Sequence, residues 1–223
     1  MKKTRMIVAA LLAMTMLLLC ACSNSNKPAN KPADNAPQEQ TNKPAEPSAP
    51  AEPSAPAEPS APAEFNGKLQ GPFIMTTCGQ STGSVMLHMV AVQAGLTSVD
   101  DHALTAEDFS RGDANTLVIT TGTSGKGMGA AGTDVDAEIE RCTALAQAAK
   151  DAGMTVVCAH VEGMSRRTDK ADQSSIDAIL PYADVIVCVE DSDSDGLFSN
   201  YAKDNNLPII KTVDTLAMAD YME

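Results

Sequence analysis

Beyond residue 64, short apolar runs alternate with segments of helical spacing, and this order constrains the fold more than any other feature. The runs are apolar at nearly every position rather than at alternate positions, so both faces of each predicted strand must be covered. Repeated strand–helix units with right-handed crossovers then produce a sheet between two helical layers. We therefore predict an α/β fold, a three-layer Rossmann-like or flavodoxin-like sandwich with a mostly parallel five-stranded sheet. The predicted strands are 72–77, 116–120, 154–159, 184–189 and 207–211.

Helices are predicted between these strands from their start and stop signals. A helix over 81–94 ends at Gly95, and a longer helix begins at a capping Asp134 and ends before Gly153. The stretch 95–115 has no clear period and leaves room for a further edge element. Shorter helices are predicted over 174–180, 196–205 and 213–222.

The N-terminal residues have the pattern of an export signal. A basic start over 1–5 precedes an apolar stretch over 6–19 that is too short for a good membrane span. The sequence Leu19-Cys20-Ala21-Cys22 resembles the lipobox of bacterial lipoproteins, which implies that Cys22 receives the lipid. We therefore predict a signal peptide over 1–22 and lipid anchoring at the outer face of the cytoplasmic membrane. The alternative is an ordinary secretory signal.

Residues 23–64 are predicted to be a disordered tether. They are rich in Pro, Ala and Glu, and the hexapeptide at 45–50 recurs at 51–56 and at 57–62. Such a segment has too little apolar surface to bury and does not fold by itself. Residues 65–223 then form a single α/β domain, which is long enough for one hydrophobic core.

The predicted domain is strongly acidic. The positive charge of residues 1–22 and the negative charge of residues 23–64 cancel, so the domain carries the full formal net charge of −13. This charge argues against nucleic acid as a partner. It also argues against contact with an anionic membrane other than through the N-terminal lipid.

Against this acidic background, basic residues cluster in two loops that follow predicted strands. The glycine-rich loop 120–127 carries one lysine, and the loop 164–170 carries two arginines and a lysine. Because ligands of parallel sheets bind beyond the carboxyl ends of the strands, these loops predict a pocket for a small carboxylate or phosphate. The alternatives are a flexible glycine loop and a basic turn that is solvated or paired with acids. The candidate ligand-binding residues are Gln80, Ser81, Thr121, Thr123, Ser124, Lys126, Arg166, Arg167 and Lys170.

Three further residues are candidates for catalysis. Cys78 lies where the first strand ends and a helix begins, and His160 and Glu162 point to the same side of a strand end. Together they have the side chains of a Cys–His–Glu relay, which would activate a nucleophile. In the alternative reading, Cys78 is a packed thiol, His160 is structural and Glu162 pairs with one of the nearby arginines.

The acidic segment 191–196 matches the first half of a calcium loop, with Asp191, Asp193 and Asp195 as candidate metal ligands. The twelfth position of such a loop requires Glu and is Ala202 here. We therefore expect at most a weak calcium site and no other cofactor. The alternative is an acidic turn in which Ser194 or Asp195 caps the next helix.

Several stretches resemble one family of exported bacterial proteins, the domain of unknown function 6305 family. They are 76–81, 122–132 and 166–170, and the resemblance extends over nearly all of 73–223. It implies a small exported α/β domain without an assigned activity.

Taken together, these features predict a surface-tethered lipoprotein that binds a small anionic solute at the carboxyl edge of its sheet. Such a protein would act with a transporter or another envelope partner. The alternative function is a cysteine-dependent hydrolase or transferase that acts on an anionic small molecule.

Overall fold

The computed structural model describes residues 67–223, and its central feature is a six-stranded sheet in which every pairing is parallel. The strand order is 2-1-3-4-5-6. This order is that of flavodoxin-like folds with one strand added at the end. The predicted α/β fold is thus confirmed. The strands are β1 (Phe73–Cys78), β2 (Ser98–Asp100), β3 (Thr116–Thr121), β4 (Thr155–His160), β5 (Val185–Val189) and β6 (Ile209–Thr212).

Helices cover both faces of this sheet. They are α1 (Gly83–Gln93), α2 (Gly125–Ala131), α3 (Val135–Asp151), α4 (Lys170–Ile179) and α5 (Leu197–Asp204). Three-ten turns add the segments Gly163–Arg166, Leu180–Tyr182, Glu190–Asp193 and Leu216–Tyr221.

Two apolar cores lie on opposite faces of the sheet. On one face, α3, α4 and α5 pack on strand residues such as Ile119, Cys158 and Ile186. On the other face, α1 and the turn 216–221 pack on residues such as Met75 and Val157. Each large side chain that is fully buried in this way contributes about 1.5–3 kcal/mol, and the two cores together explain why the strands are apolar on both faces.

Helix α3 begins and ends where its sequence predicts. The Asp134 side chain accepts the amide of Ala137 at 3.0 Å, and Asp136 and Lys150 place opposite charges at the two ends of α3. These contacts satisfy a free amide and complement the helix dipole. Asp169 caps α4 in the same way, which starts this helix at Lys170 rather than at the predicted residue 174.

Further segments differ from the sequence prediction, and in place of the helix predicted over 213–222 the structure has the three-ten turn Leu216–Tyr221. The sheet has a sixth strand, β2, because three partly exposed residues in the irregular stretch 95–115 pair with β1. The glycine-rich stretch that we predicted as a loop contains the helix α2, which Ser124 caps by accepting the Gly127 amide.

The described chain begins beside its last residues, at the amino edge of the sheet. Leu69 forms a parallel bridge with Met222. The Leu69 amide donates to Tyr221 at 2.7 Å, and the Glu223 amide donates back to Leu69 at 2.9 Å. The predicted signal peptide, lipidated Cys22 and tether lie outside the described residues. Within residues 67–223, no helix has both the length and the apolar character needed to cross a membrane.

Candidate functional site

The loops after β1 and β3 touch each other at the carboxyl edge, where the strand order reverses. Gln80 and Thr123 form an antiparallel bridge, and the Ser124 amide donates to the Gly79 carbonyl at 2.8 Å. Both Gly79 and Gln80 have positive φ, at 124° and 57°. A non-glycine residue in this region is strained and must be held by its surroundings.

A buried ion pair on α3 holds this strained turn. Glu138 accepts the Gly79 amide and the Gln80 side-chain amide, each at 3.1 Å, and pairs with Arg141 at 2.8 Å. Arg141 also donates to the Thr77 carbonyl at 2.6 Å. An open groove of about 450 Å³ lies over the pair, between residues 105–107 and α3.

The loop after β4 joins this edge through one carboxylate on α4. Asp172 accepts the Thr123 amide at 2.8 Å and the Thr123 hydroxyl at 2.7 Å, and it accepts the Thr168 amide at 2.9 Å. Burial acts to raise the pKa of Asp172, but these hydrogen bonds outweigh burial and hold its pKa below the ordinary value. The two basic loops predicted from sequence are therefore brought together.

Both arginines of the second loop are already paired with acids. Arg166 Nε contacts Glu162 at 3.2 Å, and Arg166 Nη1 donates to the Thr123 carbonyl at 2.8 Å. Arg167 makes a two-pronged pair with Asp195, both distances being 2.7 Å, and lies over the Phe198 ring. The hydrogen bond from Arg167 lowers the pKa of Asp195 to about 2. Arg167 thus has partners within the fold, and its expected role in ligand binding stays a prediction.

Several other candidate ligand residues are also used internally. The Ser81 side chain is buried against Thr77, at 3.2 Å between their hydroxyl oxygens, and Thr121 is buried against His160. The Gln80 amide serves Glu138 and the His102 carbonyl. The hydroxyl groups of Ser81 and Thr121 are buried and therefore do not reach the surface where a ligand would bind.

Two cations remain open at this edge. Lys126 lies in the first turn of α2 and Lys170 begins α4, and both side chains are exposed. Within residues 67–223, neither ammonium group has a hydrogen-bond or ion-pair partner. Lys126 and Lys170 therefore add exposed positive charge to this edge.

Glu162 occupies a set of donors that converges on one point. Its Oε1 accepts the Gly83 amide at 3.0 Å, at the start of α1. Its Oε2 accepts the Thr82 hydroxyl at 2.9 Å and faces Arg166 Nε at 3.2 Å. An amide, a hydroxyl and a guanidinium are the groups that bind carboxylates and phosphates in proteins.

The three catalytic candidates are not assembled into a relay. Cys78 is fully buried, and the hydrogen bond with Cys142 together with burial raises the pKa of its thiol. Both ring nitrogens of His160 are occupied, by Thr121 at 3.1 Å and by the Gly163 carbonyl at 3.3 Å, and burial lowers its pKa to about 4. Glu162 contacts neither residue and faces α1 instead. The geometry therefore corresponds to structural roles for Cys78 and His160.

The three acids of the predicted calcium loop face different partners. Asp191 accepts the Met164 amide, Asp193 pairs with Lys211 at 2.8 Å, and Asp195 pairs with Arg167. Nowhere in the described part of the chain do three or more His, Cys, Asp or Glu side chains form a cluster that could hold a metal ion. The acidic turn instead starts α5, where Asp193 accepts the Phe198 amide and Asp195 accepts the Leu197 amide.

The residues that form this edge all lie within the part of the chain that matches a known family. The family model described as a domain of unknown function (DUF6305) matches residues 70–223. The chain belongs to the DUF6305 family.

Solved structures with some likeness to this DUF6305 domain include two hydrolases. One is a GDSL-like lipase from Bacteroides thetaiotaomicron, which is 15% identical, with 68% of this chain and 71% of that chain covered and a TM-score of 0.34. The other is the psychrotrophic esterase EstA from a Pseudoalteromonas species, which is 10% identical, with 62% and 76% covered and a TM-score of 0.29. Likeness at this level carries no information on activity. No curated protein matches the chain.

Two parts of the carboxyl edge of the DUF6305 domain were not predicted from the sequence. One is the Glu138–Arg141 pair, whose i, i+3 spacing was the available signal. The other is His102, whose Nε2 lies 2.9 Å from the Ser84 hydroxyl and 3.3 Å from Asp100. Ser84 is fully buried, so this contact docks α1 on β2.

Proposed function

We propose that the DUF6305 domain binds a small carboxylated or phosphorylated solute at the carboxyl edge of its sheet, at the position that the Glu162 carboxylate occupies. The observation that carries this proposal is the convergence of the Thr82 hydroxyl, the Gly83 amide and the Arg166 guanidinium on Glu162. The Glu162 carboxylate thus occupies the donors that we propose for a bound solute anion.

Electrostatics favours the replacement of the Glu162 carboxylate by a solute anion. The start of α1 carries a partial positive charge that favours any anion, and the arginine contact is charge-assisted. When Glu162 swings away, Arg166 stays in position through its hydrogen bond to the Thr123 carbonyl. Lys126 and Lys170 draw an anion toward this edge of an otherwise acidic domain.

The cellular role that we propose follows from the N-terminal sequence. A lipid-anchored, exported domain with such a site captures an anionic solute at the outer face of the membrane and passes it to a transporter or another envelope partner. The proposed site has no complete catalytic set. The alternative, a cysteine-dependent hydrolase, lacks support because a nucleophile needs an accessible thiol of low pKa, whereas Cys78 is buried and its pKa is raised.

Chemical rescue tests the proposed site. In a form of the protein that lacks residues 1–22, Glu162→Ala removes the internal carboxylate and leaves its donors vacant. We expect added acetate or inorganic phosphate to raise the thermal midpoint of this variant more than that of the wild type, in proportion to the logarithm of the anion concentration.

Two further variants make the test specific. Glu140→Ala removes an exposed acid from α3 and should leave the anion response at the wild-type level. Arg166→Gln added to Glu162→Ala should abolish the extra response. If Glu162→Ala shows no gain with acetate or phosphate over Glu140→Ala, the donor set is structural only and the proposal fails.

A further inference from the structure

Two buried thiols meet where the end of β1 packs on α3. Cys142 Sγ donates to the Thr77 carbonyl at 3.5 Å, and Cys78 Sγ donates to the Glu138 carbonyl at 3.7 Å. Each thiol therefore bonds to backbone next to the other thiol: Thr77 precedes Cys78, and Glu138 lies one helical turn before Cys142. Both side chains have no exposed surface, and both are reduced in this structure.

We propose that Cys78 and Cys142 are joined by a disulfide when the protein folds outside the cytoplasm. The two thiols lie where β1 packs on α3. The Cys78 thiol donates to a carbonyl of α3, and the Cys142 thiol donates to a carbonyl of β1. An exported protein meets an oxidising environment, in which such a pair is converted to a disulfide. The proposal rests on the export predicted from the N-terminal sequence and is independent of the anion site.

The oxidant is the disulfide of an exported thiol–disulfide oxidoreductase. One thiol of the pair loses its proton and attacks this disulfide, which forms a mixed disulfide and releases one thiol of the oxidoreductase. The second thiol loses its proton, attacks the mixed disulfide and releases the other thiol. Two protons and two electrons leave the pair, one sulfur–sulfur bond forms in the protein, and the oxidoreductase disulfide is reduced.

The folded protein restricts when this exchange happens. Because the hydrogen bond with Cys142 and burial raise the pKa of Cys78, little of the reactive thiolate exists once α3 has packed on β1. The bond therefore forms during folding, before the thiols are covered. Oxidant added to reduced, folded protein should react slowly.

The chain contains its own control pair. Cys158 on β4 and Cys188 on β5 are also buried thiols on neighbouring strands. In the sheet register, however, Cys158 pairs with Ile186 and Cys188 pairs with His160. This diagonal offset of two positions separates their Cα atoms by about 8 Å, beyond the reach of roughly 7 Å that a disulfide spans.

A disulfide at Cys78 would tie α3 to the strand end that carries the strained Gly79–Gln80 turn. Glu138 already holds that turn from the same helix by accepting the Gly79 amide. The covalent bond would close a loop between residues 78 and 142 and so restrict the unfolded chain. The oxidised domain should accordingly melt about 10 °C above the reduced one.

Peptide mapping tests the proposal, because trypsin places the four cysteines of the described domain in separate peptides, 69–111, 142–150, 151–166 and 171–203. In the first arm, the full chain is exported in a bacterial host, alkylated with N-ethylmaleimide before lysis and digested without reduction. In the second arm, reduced and denatured protein without residues 1–22 is refolded in a buffer of oxidised and reduced glutathione. We expect peptide 69–111 linked to peptide 142–150, two hydrogens lighter than their sum, in both arms.

The controls separate this proposal from the proposed export. Cys142→Ser should abolish the linked peptide, and the double variant Cys158→Ser/Cys188→Ser should retain it. The proposed disulfide is overturned if peptides 69–111 and 142–150 are both recovered after refolding with alkylated or glutathione-bearing cysteines. A link between Cys158 and Cys188 also overturns it. In another outcome, the chain forms the link on refolding but lacks it and remains in the host cytoplasm in the first arm. That result contradicts the predicted export and supports the pairing of Cys78 with Cys142.

Discussion

The carbonyl oxygen of Gln80 lies where a Cβ on Gly127 would have to be placed. This contact brings the first turn of α2 against the strained turn after β1. Gly127→Ala should therefore destabilise the domain by about 1–3 kcal/mol, because backbone on both sides must shift to relieve the overlap. The measurement is urea denaturation followed by circular dichroism.

Gly129 supplies the matched control, since a Cβ there meets nothing within 4 Å. Gly129→Ala in the same helix should stabilise the domain by about 0.5–1 kcal/mol through the lower entropy of the unfolded chain. Equal effects of the two substitutions would show that the close approach of Gly127 to Gln80 is not a constraint on the fold.

Asp172 should matter more for stability than other acids of its helix. Asp172→Ala leaves the buried Thr123 amide and hydroxyl without their acceptor, and we expect a loss of about 3 kcal/mol in the free energy of unfolding. Asp177→Ala removes an exposed acid of α4 and should stay within about 0.5 kcal/mol of the wild type. A loss at Asp172 no larger than at Asp177 contradicts this role.

His160 should make the domain less stable in mild acid. Because burial lowers its pKa in the folded protein to about 4, the folded state stays neutral while the unfolded state takes up a proton below about pH 6.5. The contribution of neutral His160 is complete above that pH and is lost progressively as the pH falls toward 4. At pH 5 the loss amounts to about 2 kcal/mol.

The His160 effect is measured as the difference in unfolding free energy between pH 7 and pH 5. His160→Gln should reduce this difference, whereas His88→Gln, at a half-buried histidine that contacts Ser98, should keep it near the wild-type value. A pH dependence that persists unchanged in His160→Gln assigns the acid sensitivity to other groups.

Arg167 should control the titration of Asp195. The two-pronged contact lowers the pKa of Asp195 to about 2, and Arg167→Gln should return it toward about 3.9. Carboxyl carbon shifts followed by NMR from pH 6 to pH 1.5 measure this change. Arg166→Gln is the control, because Arg166 contacts Glu162 rather than Asp195. An equal shift in both variants would mean that general charge, rather than the direct contact, sets the pKa.

The strands were predictable because burial on both faces leaves continuous apolar runs in the sequence. Strand β2 was not, because its three residues include Ser98 and Asp100, whose side chains meet histidines instead of entering a core. Helix α2 was hidden by glycines, which favour loops. One of those glycines is required by the approach of Gln80, and the Ser124 cap offsets part of their helix-breaking effect.

At the candidate site, the position of the basic loops was predictable and the partners of their side chains were not. Strand ends of a parallel sheet converge on one edge, so the sequence order alone places Lys126 and Arg166 there. The partner of Arg167 is Asp195, which follows a different strand and is distant in sequence. The nearer acid, Asp169, instead caps α4. Local spacing contains no information that distinguishes these outcomes.

The bridge between Leu69 and Met222 determines how a mechanical load reaches the domain. Any pull transmitted along the chain to Gly67 is borne first by the hydrogen bonds that join Leu69 and Gly71 to residues 221–223. That junction lies at the amino ends of the strands. A tether attached there would hold the domain by the edge opposite Glu162.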